Sequence, residues 1–279
     1  MQKKVVGKDS VSINYDLHPK WSKVDHWLIF VHGAGGDLNA WHSEREFFHQ
    51  RGLSTLALDL RGHGLSDRPA ECVDYTLDRF ATDIQTIVEA EAIKKFVLIG
   101  HSFGGMVILT YHHLFSRLAQ SYVLIDTSAK PPAAISLAAH HPFLIHLYNH
   151  LTNQNADECH FSHVPVGKFV GTADWDPTRI YSDIIHTTLR SWLNTYEAMG
   201  NFDATRILPT IHQPTLVLHG ADDSVISPKV GKELHEHTPR STFTLIPNAN
   251  HISVLNNPDE IETAMAEFLH TRCHYALKK

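Results

Sequence analysis

Short apolar segments alternate with amphipathic segments over most of this 279-residue chain. Each apolar segment has four to six residues, is rich in Val, Ile and Leu, and ends at a glycine, an aspartate or a proline. Segments of this kind are typical of strands that are buried on both faces of a parallel sheet. We therefore predict buried strands over residues 27–31, 55–59, 96–100, 122–126, 215–219 and 243–246.

The amphipathic segments between these strands have helical spacing, and we predict helices over residues 75–91, 102–119, 228–237 and 257–270. A repeated β–α order favours an α/β fold, with a doubly wound, mostly parallel sheet, right-handed crossovers and helices on both faces. Residues 11–15, together with Val5 and Val6, are expected to form an antiparallel hairpin at one edge of that sheet.

The alternation fails between residues 129 and 206. This segment opens with Pro131 and Pro132, is rich in histidine and aromatic residues, and is typical of several short helices. We predict a helical lid over residues 129–206, inserted between two parts of one core, 1–128 and 207–279, and covering the carboxyl edge of the sheet. Its aromatic residues suggest either an apolar pocket or simple packing of the lid, and packing is favoured for most of them: Phe143, Tyr148, Trp175 and Trp192.

Composition limits the partners and the location of the protein. Apolar residues make up 43% and charged residues 19%, and the net charge of −6 includes no long charged block, so neither nucleic acid nor an anionic membrane is indicated. Three scattered cysteines (Cys72, Cys159 and Cys273) do not suggest a disulfide framework. No apolar segment of signal-peptide or membrane-span type is visible, so we expect a cytoplasmic protein that acts on a small molecule without a cofactor.

The sequence Gly100-His101-Ser102-Phe103-Gly104 lies between a predicted strand and a predicted helix. A sharp turn at this place exposes the serine oxygen at the end of a buried strand, and glycines on both sides allow the strand and the helix to approach closely. The helix that follows directs backbone N–H groups toward the atom that the serine attacks. The pattern predicts that Ser102 is a nucleophile and not an ordinary helix cap.

A serine nucleophile needs a base, and the base needs an acid to orient it. His251 follows the last predicted strand, and Asp223 follows the strand before it. Because parallel strands end at one edge of a sheet, both loops are expected near Ser102, in the chain order Ser, Asp, His that this fold uses. Asp222 and Asp126 are the alternatives for the acid.

The chain resembles the α/β-hydrolase superfamily, in the lidded serine-hydrolase branch that includes small carboxylesterases. The resemblance covers nearly the whole chain outside the lid, and its carriers are His32-Gly33-Ala34-Gly35-Gly36, Asp59-Leu60-Arg61-Gly62-His63-Gly64-Leu65-Ser66, Gly100-His101-Ser102-Phe103-Gly104-Gly105, Gly220-x-x-Asp223 and His251. It implies that Ser102 is the nucleophile, His251 the base and Asp223 the acid. It further implies an oxyanion hole formed by the N–H groups of Ala34 and Phe103. The family usually has glycine before its catalytic histidine, whereas this chain has Asn250, a residue that tolerates left-handed backbone.

These residues together predict hydrolysis of a carboxylic ester through an acyl-enzyme. The same groups serve thioesterases, amidases, carbon–carbon bond hydrolases and perhydrolases, and a non-catalytic ligand receptor of the same fold is the alternative from another class. Epoxide and haloalkane hydrolases are disfavoured because those members have an aspartate at the position of Ser102.

The remaining histidines of interest have expected roles outside catalysis. His32 and His63 are expected to bond backbone across their turns, and His101 to point away from the serine. A metal site in the lid is conceivable from one set of residues, but no established ligand motif connects them, and no metal is predicted: His146, His150, Cys159, His160 and His163.

Overall fold

The computed structural model describes residues 1–20, 26–116, 118–131 and 161–278. In this part of the chain, eight strands form one sheet with the order β1-β2-β4-β3-β5-β6-β7-β8. The strands are β1 (Gln2–Val6), β2 (Ser12–His18), β3 (Trp27–Val31), β4 (Ser54–Leu58), β5 (Phe96–His101), β6 (Ser121–Ile125), β7 (Thr215–Gly220) and β8 (Ser241–Ile246).

Strands β3 to β8 pair in parallel, whereas β2 is antiparallel to both of its neighbours, β1 and β4. Each of the six predicted parallel strands is present, with ends that differ by two residues at most. The predicted edge hairpin is also present, with Val5 paired to Ile13. The prediction of a doubly wound, mostly parallel α/β sheet is therefore confirmed.

Apolar residues on both faces of the sheet explain why its central strands contain almost no polar residues. Along β3, Ile29 and Val31 pack into the apolar core on one face, whereas Leu28 and Phe30 pack into the core on the other. Side chains of a strand alternate between the two faces, so a strand that is covered on both sides must be apolar throughout. Both faces of the sheet therefore need a covering layer of helices.

Helices cover both faces. They are α1 (His42–Gln50), α2 (Leu77–Ala90), α3 (Phe103–Phe115), α4 (Pro177–Thr187), α5 (Leu189–Gly200), α6 (Pro228–His237), α7 (Ser253–Asn256) and α8 (Pro258–Thr271). Phe80 of α2 and Val107 of α3 belong to the same core as Ile29, while Phe48 of α1 and Met265 of α8 belong to the other.

Two predicted helices are shorter than expected. The predicted helix over 75–91 begins at Leu77, because Thr76 has extended backbone and its hydroxyl caps the helix by accepting from the N–H of Arg79. The predicted helix over 102–119 begins at Phe103, because Ser102 has a φ of 50° that no helical residue adopts, and it ends at Phe115. Both differences lie at the ends of the helices.

The described part of the segment predicted as a lid contains helices α4 and α5. The N–H of Ala204 donates to the carbonyl of Ala129 at 2.8 Å, so the chain leaves the sheet after β6 and returns toward β7 at neighbouring points. Residues 132–160, including Phe143 and Tyr148, lie outside the described residues. The division into core and lid stays a prediction. Among the described helices, none has the length and apolar character needed to cross a membrane.

Candidate active site

Ser102 lies in a strained turn between β5 and α3. Its φ of 50° and ψ of −115° are unusual for a residue with a side chain, and strain of this kind often occurs at functional sites. The turn is fixed by close packing, since a Cβ at Gly104 would lie 2.2 Å from the carbonyl oxygen of Val31 and one at Gly100 would lie 2.6 Å from that of Gly104. The N–H of Ser102 donates to the carbonyl of Ile125 at 2.9 Å. Strand and helix therefore leave no room for other residues at the two glycines.

The structure brings together the three residues that the sequence selected as a nucleophile, a base and an acid. Nε2 of His251 lies 2.9 Å from Oγ of Ser102, and Nδ1 of His251 lies 2.8 Å from Oδ2 of Asp223. An ionised carboxylate only accepts hydrogen bonds, so Nδ1 carries the ring proton and Nε2 accepts from the serine hydroxyl. In this arrangement the imidazole can remove the hydroxyl proton as the serine oxygen attacks.

Asp223 is held in its ionised form. Burial by itself raises the pKa of this carboxyl, but hydrogen bonds from His219 and His251 outweigh burial and leave the pKa well below its usual range. The N–H groups of Val225 and Ile226 also donate to Oδ1, both at 2.8 Å. A carboxylate that is fixed on both oxygens can orient an imidazole ring and stabilise its positive charge.

The two alternative acids do not bond to the His251 ring. Asp126 is fully buried and accepts from the N–H of Gly220 at 2.7 Å and from the hydroxyl of Ser253 at 2.5 Å. Burial raises its pKa to about 6 in spite of the nearby histidines. Asp222 is exposed. Among the three candidate carboxyls, only Asp223 contacts the ring.

His32 and His63 bond to backbone, as the sequence predicted. Nδ1 of His32 donates to the Gly33 carbonyl at 2.7 Å and its Nε2 accepts from the Leu60 N–H at 3.0 Å. Nδ1 of His63 donates to the Arg61 carbonyl at 2.9 Å and its Nε2 accepts from the Gly35 N–H at 3.2 Å. Each neutral ring thereby uses both nitrogens to connect the loop after β3 with the loop after β4.

His101 is directed toward the base. Its Nε2 lies 2.7 Å from the carbonyl oxygen of His251, and the two ring centroids are 5.2 Å apart. Burial lowers the pKa of His101 to about 3, and the neighbouring His251 adds to this effect. The ring thus bonds the His251 carbonyl and supports the His251 loop, which the sequence did not predict.

The two residues predicted to form an oxyanion hole lie next to the serine. Gly33, which precedes Ala34, is so close to Ser102 that an added Cβ would lie 3.3 Å from the serine Cβ. Ala34 lines the cavity that contains Ser102 and His251. Phe103 is fully buried, and its ring packs edge-on against that of Phe80, with the two ring centroids 5.0 Å apart. Its backbone lies at the N-terminus of α3, where N–H groups are free of helical partners.

A cavity of about 800 Å³ lies above Ser102 and His251. Its wall is largely apolar and includes Met106 as well as Trp175 and Trp192 of the predicted lid. Trp192 packs against Tyr196 with the rings tilted by 36° and their centroids 4.1 Å apart, so Trp192 both packs within α5 and lines the cavity. A site of this size accommodates a ligand of drug-like dimensions.

Helix α4 contributes a charged pair to the cavity wall. Arg179 lies 3.4 Å from Asp183, and both residues line the cavity. Burial raises the pKa of Asp183 to about 7, although the Arg179 charge opposes this shift. The Asp183 side chain packs on the backbone of Gly35, where a Cβ would meet it at 2.7 Å. The cavity is therefore polar beside the loop that follows β3.

The residues that could bind a metal divide between the described part of the chain and the rest of it. His163 lies 2.7 Å from Oδ2 of Asp59, which raises the pKa of the imidazole and connects residues 161–168 to the core. His146, His150, Cys159 and His160 lie outside the described residues. Within the described part of the chain, Asp126, His219 and Asp223 lie close enough to share an ion. Both carboxylates of this cluster already accept hydrogen bonds, as described above.

Sequence reasoning missed two residues that contact this site. His219, which the sequence gave no role, lies 3.2 Å from Oδ2 of Asp223 at the end of β7. Asp174 lies between β6 and β7 in sequence, and it accepts from the backbone N–H of His251 at 2.7 Å. An isolated Asp in an irregular segment carries no local signal, so only the folded arrangement reveals it.

The sheet, the strained serine turn and the loops after β7 and β8 together define an α/β hydrolase. A family model described as alpha/beta hydrolase fold matches residues 26–163 and 149–258. The chain therefore belongs to the α/β-hydrolase fold family.

Individual relatives differ in how much of their length this chain spans. Protein ABHD8 of Homo sapiens is 24% identical over 253 residues, which cover 90% of this chain and 56% of that protein, so the chain spans about half of this relative. The bifunctional esterase/perhydrolase DCH of Acinetobacter calcoaceticus is 28% identical over 281 residues, with 94% and 95% of the two chains covered. The solved structure of an esterase from Exiguobacterium antarcticum superposes with a TM-score of 0.74 at 17% identity, covering 97% of this chain and 100% of that one.

Proposed function

We propose that this protein is a serine hydrolase that cleaves carboxylic esters through an acyl-enzyme intermediate. Oγ of Ser102 attacks the ester carbonyl while Nε2 of His251 takes the hydroxyl proton. The tetrahedral intermediate collapses, and His251 gives the proton to the departing alcohol. Water then attacks the acyl-enzyme with His251 again acting as base, which releases the carboxylic acid and restores Ser102.

The other site residues stabilise charge in these steps. Asp223 keeps the His251 ring in the required tautomer and offsets the positive charge that develops on it. The N–H groups of Ala34 and Phe103 bind the oxyanion, and one such donor contributes about 3 kcal/mol to transition-state stabilisation. Helix α5, as part of the lid, contributes Trp192 to the apolar wall against which the substrate packs, and α4 adds the Arg179–Asp183 pair.

The observation that supports this proposal most is the chain of two hydrogen bonds from Asp223 through His251 to Ser102, at 2.8 and 2.9 Å. The cavity over Ser102 supplies space for a substrate. The esterase/perhydrolase of Acinetobacter calcoaceticus is 28% identical over nearly the whole chain, and this similarity supports ester chemistry.

Hydrolysis of p-nitrophenyl esters, from acetate to dodecanoate, tests the proposal. We expect turnover by the wild-type protein and a loss of roughly a million-fold in kcat for Ser102→Ala, because the nucleophile is removed. Ser227→Ala is the matched control, since Ser227 is exposed and caps no N–H with its side chain. The optimal chain length measures the acyl pocket. Turnover that survives in Ser102→Ala contradicts the proposed mechanism.

Perhydrolysis is the second candidate, and the esterase/perhydrolase relative favours it. In this reaction hydrogen peroxide replaces water as the attacking group on the acyl-enzyme, so the product is a peracid and Ser102 is regenerated. Wild-type protein is given p-nitrophenyl acetate and hydrogen peroxide, and the product is identified. Peracetic acid indicates perhydrolysis and acetate indicates hydrolysis, and either product should be absent with Ser102→Ala. If a folded wild-type protein catalyses neither hydrolysis nor perhydrolysis of these esters, the proposal is replaced by a thioester or diketone substrate, or by a non-catalytic ligand receptor.

A further inference from the structure

Asp174 connects the predicted lid to both loops that carry the acid and the base. Its Oδ1 accepts from the backbone N–H of His251 at 2.7 Å. Its Oδ2 accepts from the backbone N–H of Ser224 at 2.9 Å and from the Ser224 hydroxyl at 2.7 Å. The residue is 5% exposed. One buried carboxylate thus receives three hydrogen bonds from two separate loops.

The two loops are also joined directly, since the N–H of Asp222 donates to the Ala249 carbonyl at 2.8 Å, and Asp174 adds a restraint next to Asp223 and at His251 itself. Ser224 follows Asp223 in the loop after β7, whereas His251 lies in the loop after β8. The Asp223–His251 hydrogen bond requires both loops to keep their relative position. Hydrogen bonds to a carboxylate are stronger than those between neutral groups, so the bonds to Asp174 suit this purpose. A carboxylate that bonds the backbone of each loop restrains them at the point where the two side chains meet.

Asp174 is itself held by its neighbours. A guanidinium N–H of Arg179 donates to the backbone carbonyl of Asp174. Two residues earlier, the carbonyl of Thr172 accepts from the side-chain amides of Asn250 at 2.9 Å and Asn256 at 3.0 Å. The short stretch from Thr172 to Asp174 is therefore fixed against the His251 loop at both of its ends. Asn250 occupies the position where the family usually has glycine, and here its side chain has a partner.

We propose that Asp174 is a positioning residue that sets the orientation of His251 relative to Ser102 and Asp223. The inference rests on the proposed function, because that proposal assigns His251 as the base of the reaction. Asp174 acts through the backbone N–H of His251 and needs no contact with the substrate. Its role predicts that a change at residue 174 alters kcat more than KM.

The isosteric variant Asp174→Asn tests the proposal. The amide has one acceptor oxygen in place of two, so the backbone N–H of either His251 or Ser224 loses its acceptor. We expect kcat for p-nitrophenyl acetate to fall about 10- to 100-fold, the loss typical of a small misplacement of a reacting group. KM is expected to change less than about two-fold. Asp222→Asn, in the same loop as Ser224 but exposed, is the matched control and should keep its activity.

Two measurements separate positioning from a loss of folding. The first is the downfield imidazole N–H proton signal of the His251–Asp223 bond, which we expect Asp174→Asn to shift or broaden. The second is the double variant with Ser224→Ala, which removes one donor to the same carboxylate. Because both changes affect one set of hydrogen bonds, their effects on kcat should be less than additive. A purely structural role lowers the melting temperature but leaves the signal and the kcat per folded molecule unchanged.

The outcomes distinguish this inference from the proposed function. If the wild-type protein hydrolyses no ester but Asp174→Asn still perturbs the His251 signal, positioning is supported and the ester proposal fails. If wild type is an esterase and Asp174→Asn keeps its kcat and its signal, the inference is overturned while the function stands. An equal loss in Asp222→Asn also overturns it.

Discussion

Asp223 and Asp126 illustrate how the contacts of a carboxyl decide its role. Both follow neighbouring parallel strands, both are buried, and both lie near histidines. Hydrogen bonds from two imidazoles keep the pKa of Asp223 below its usual range, whereas burial dominates at Asp126 and raises its pKa to about 6. Asp126 bonds a backbone N–H and a serine hydroxyl. Its role in the structure is to fix the loops after β7 and β8.

Exchange of each acid for its amide should separate the two roles. Asp223→Asn is expected to lower kcat for ester hydrolysis by about 10⁴-fold, because an amide favours the wrong tautomer of the base. Asp126→Asn should lose less than about 10-fold, since its amide oxygen still accepts from the Gly220 N–H. Steady-state kinetics with p-nitrophenyl acetate measures both. Equal losses for the two variants would show that the acid has been wrongly assigned.

At the residue scale, sequence alone sufficed for the residues that parallel strands place at one edge. Ser102, Asp223 and His251 each follow a recognisable strand, so their proximity could be predicted. Asp174 could not, because its partners are backbone groups of other loops, and no sequence pattern specifies such contacts. The hydrogen bond from His101 to the His251 carbonyl is likewise a bond between a side chain and the backbone of another loop, so it could not be predicted either.

Helix α1 is one of the elements that apolar periodicity did not predict. Its buried residues are Glu44, Arg45 and Phe48, so its inner face is not apolar and produces no helical hydrophobic pattern. Neither carboxyl oxygen of Glu44 has a hydrogen-bond partner outside its own residue in the described part of the chain. Burial raises the pKa of Glu44 well above its usual value, and Glu262 adds to the shift.

Glu44→Gln should therefore stabilise the protein at neutral pH. The native state retains a proton that the unfolded chain loses above its normal pKa, so stability falls as pH rises from about 4.5 toward the raised native pKa. Glutamine does not titrate, and we expect the variant to be more stable at pH 7, with a difference in unfolding free energy that widens as pH rises. Urea unfolding at several pH values measures the difference.

Glu46→Gln, two residues along the same helix, is the matched control. Glu46 is exposed, and its hydrogen bond within the described residues is with Gln50 in its own helix, so its exchange should change stability by less than about 0.5 kcal/mol. A Glu44→Gln variant that is less stable than wild type at all pH values would mean that the carboxyl has a partner that a neutral amide cannot replace.

For the molecule as a whole, buried histidines make the fold sensitive to acid. The pKa values of His63 and His101 are lowered to about 3, mainly by burial. Between pH 6.5 and about 3, the unfolded chain binds a proton at each histidine that the native state does not bind. Their contribution is thus complete above pH 6.5 and is lost as pH falls. At pH 5 the loss is on the order of 2 kcal/mol per histidine.

His63→Gln isolates this contribution, because buried carboxyls such as Asp183 and Asp126 titrate in the opposite sense in both proteins. At pH 7 the variant should be less stable than wild type, since the bonds that connect the loops after β3 and β4 are disturbed. The difference in unfolding free energy should shrink by about 2 kcal/mol by pH 5. Denaturant unfolding at pH 7, 6 and 5 tests this, and a difference that is independent of pH would refute it.

The turn at Ser102 has one more consequence, which concerns how such a protein can change its chemistry. Its unusual backbone angles are imposed by the packing of Gly100 and Gly104 and not by the serine hydroxyl. The hydroxyl can therefore be exchanged without a change in the backbone that carries it. Cysteine or aspartate at residue 102 would present a different nucleophile to the same cavity. New reactions can arise from substitution of this one residue, with the sheet beneath it unchanged.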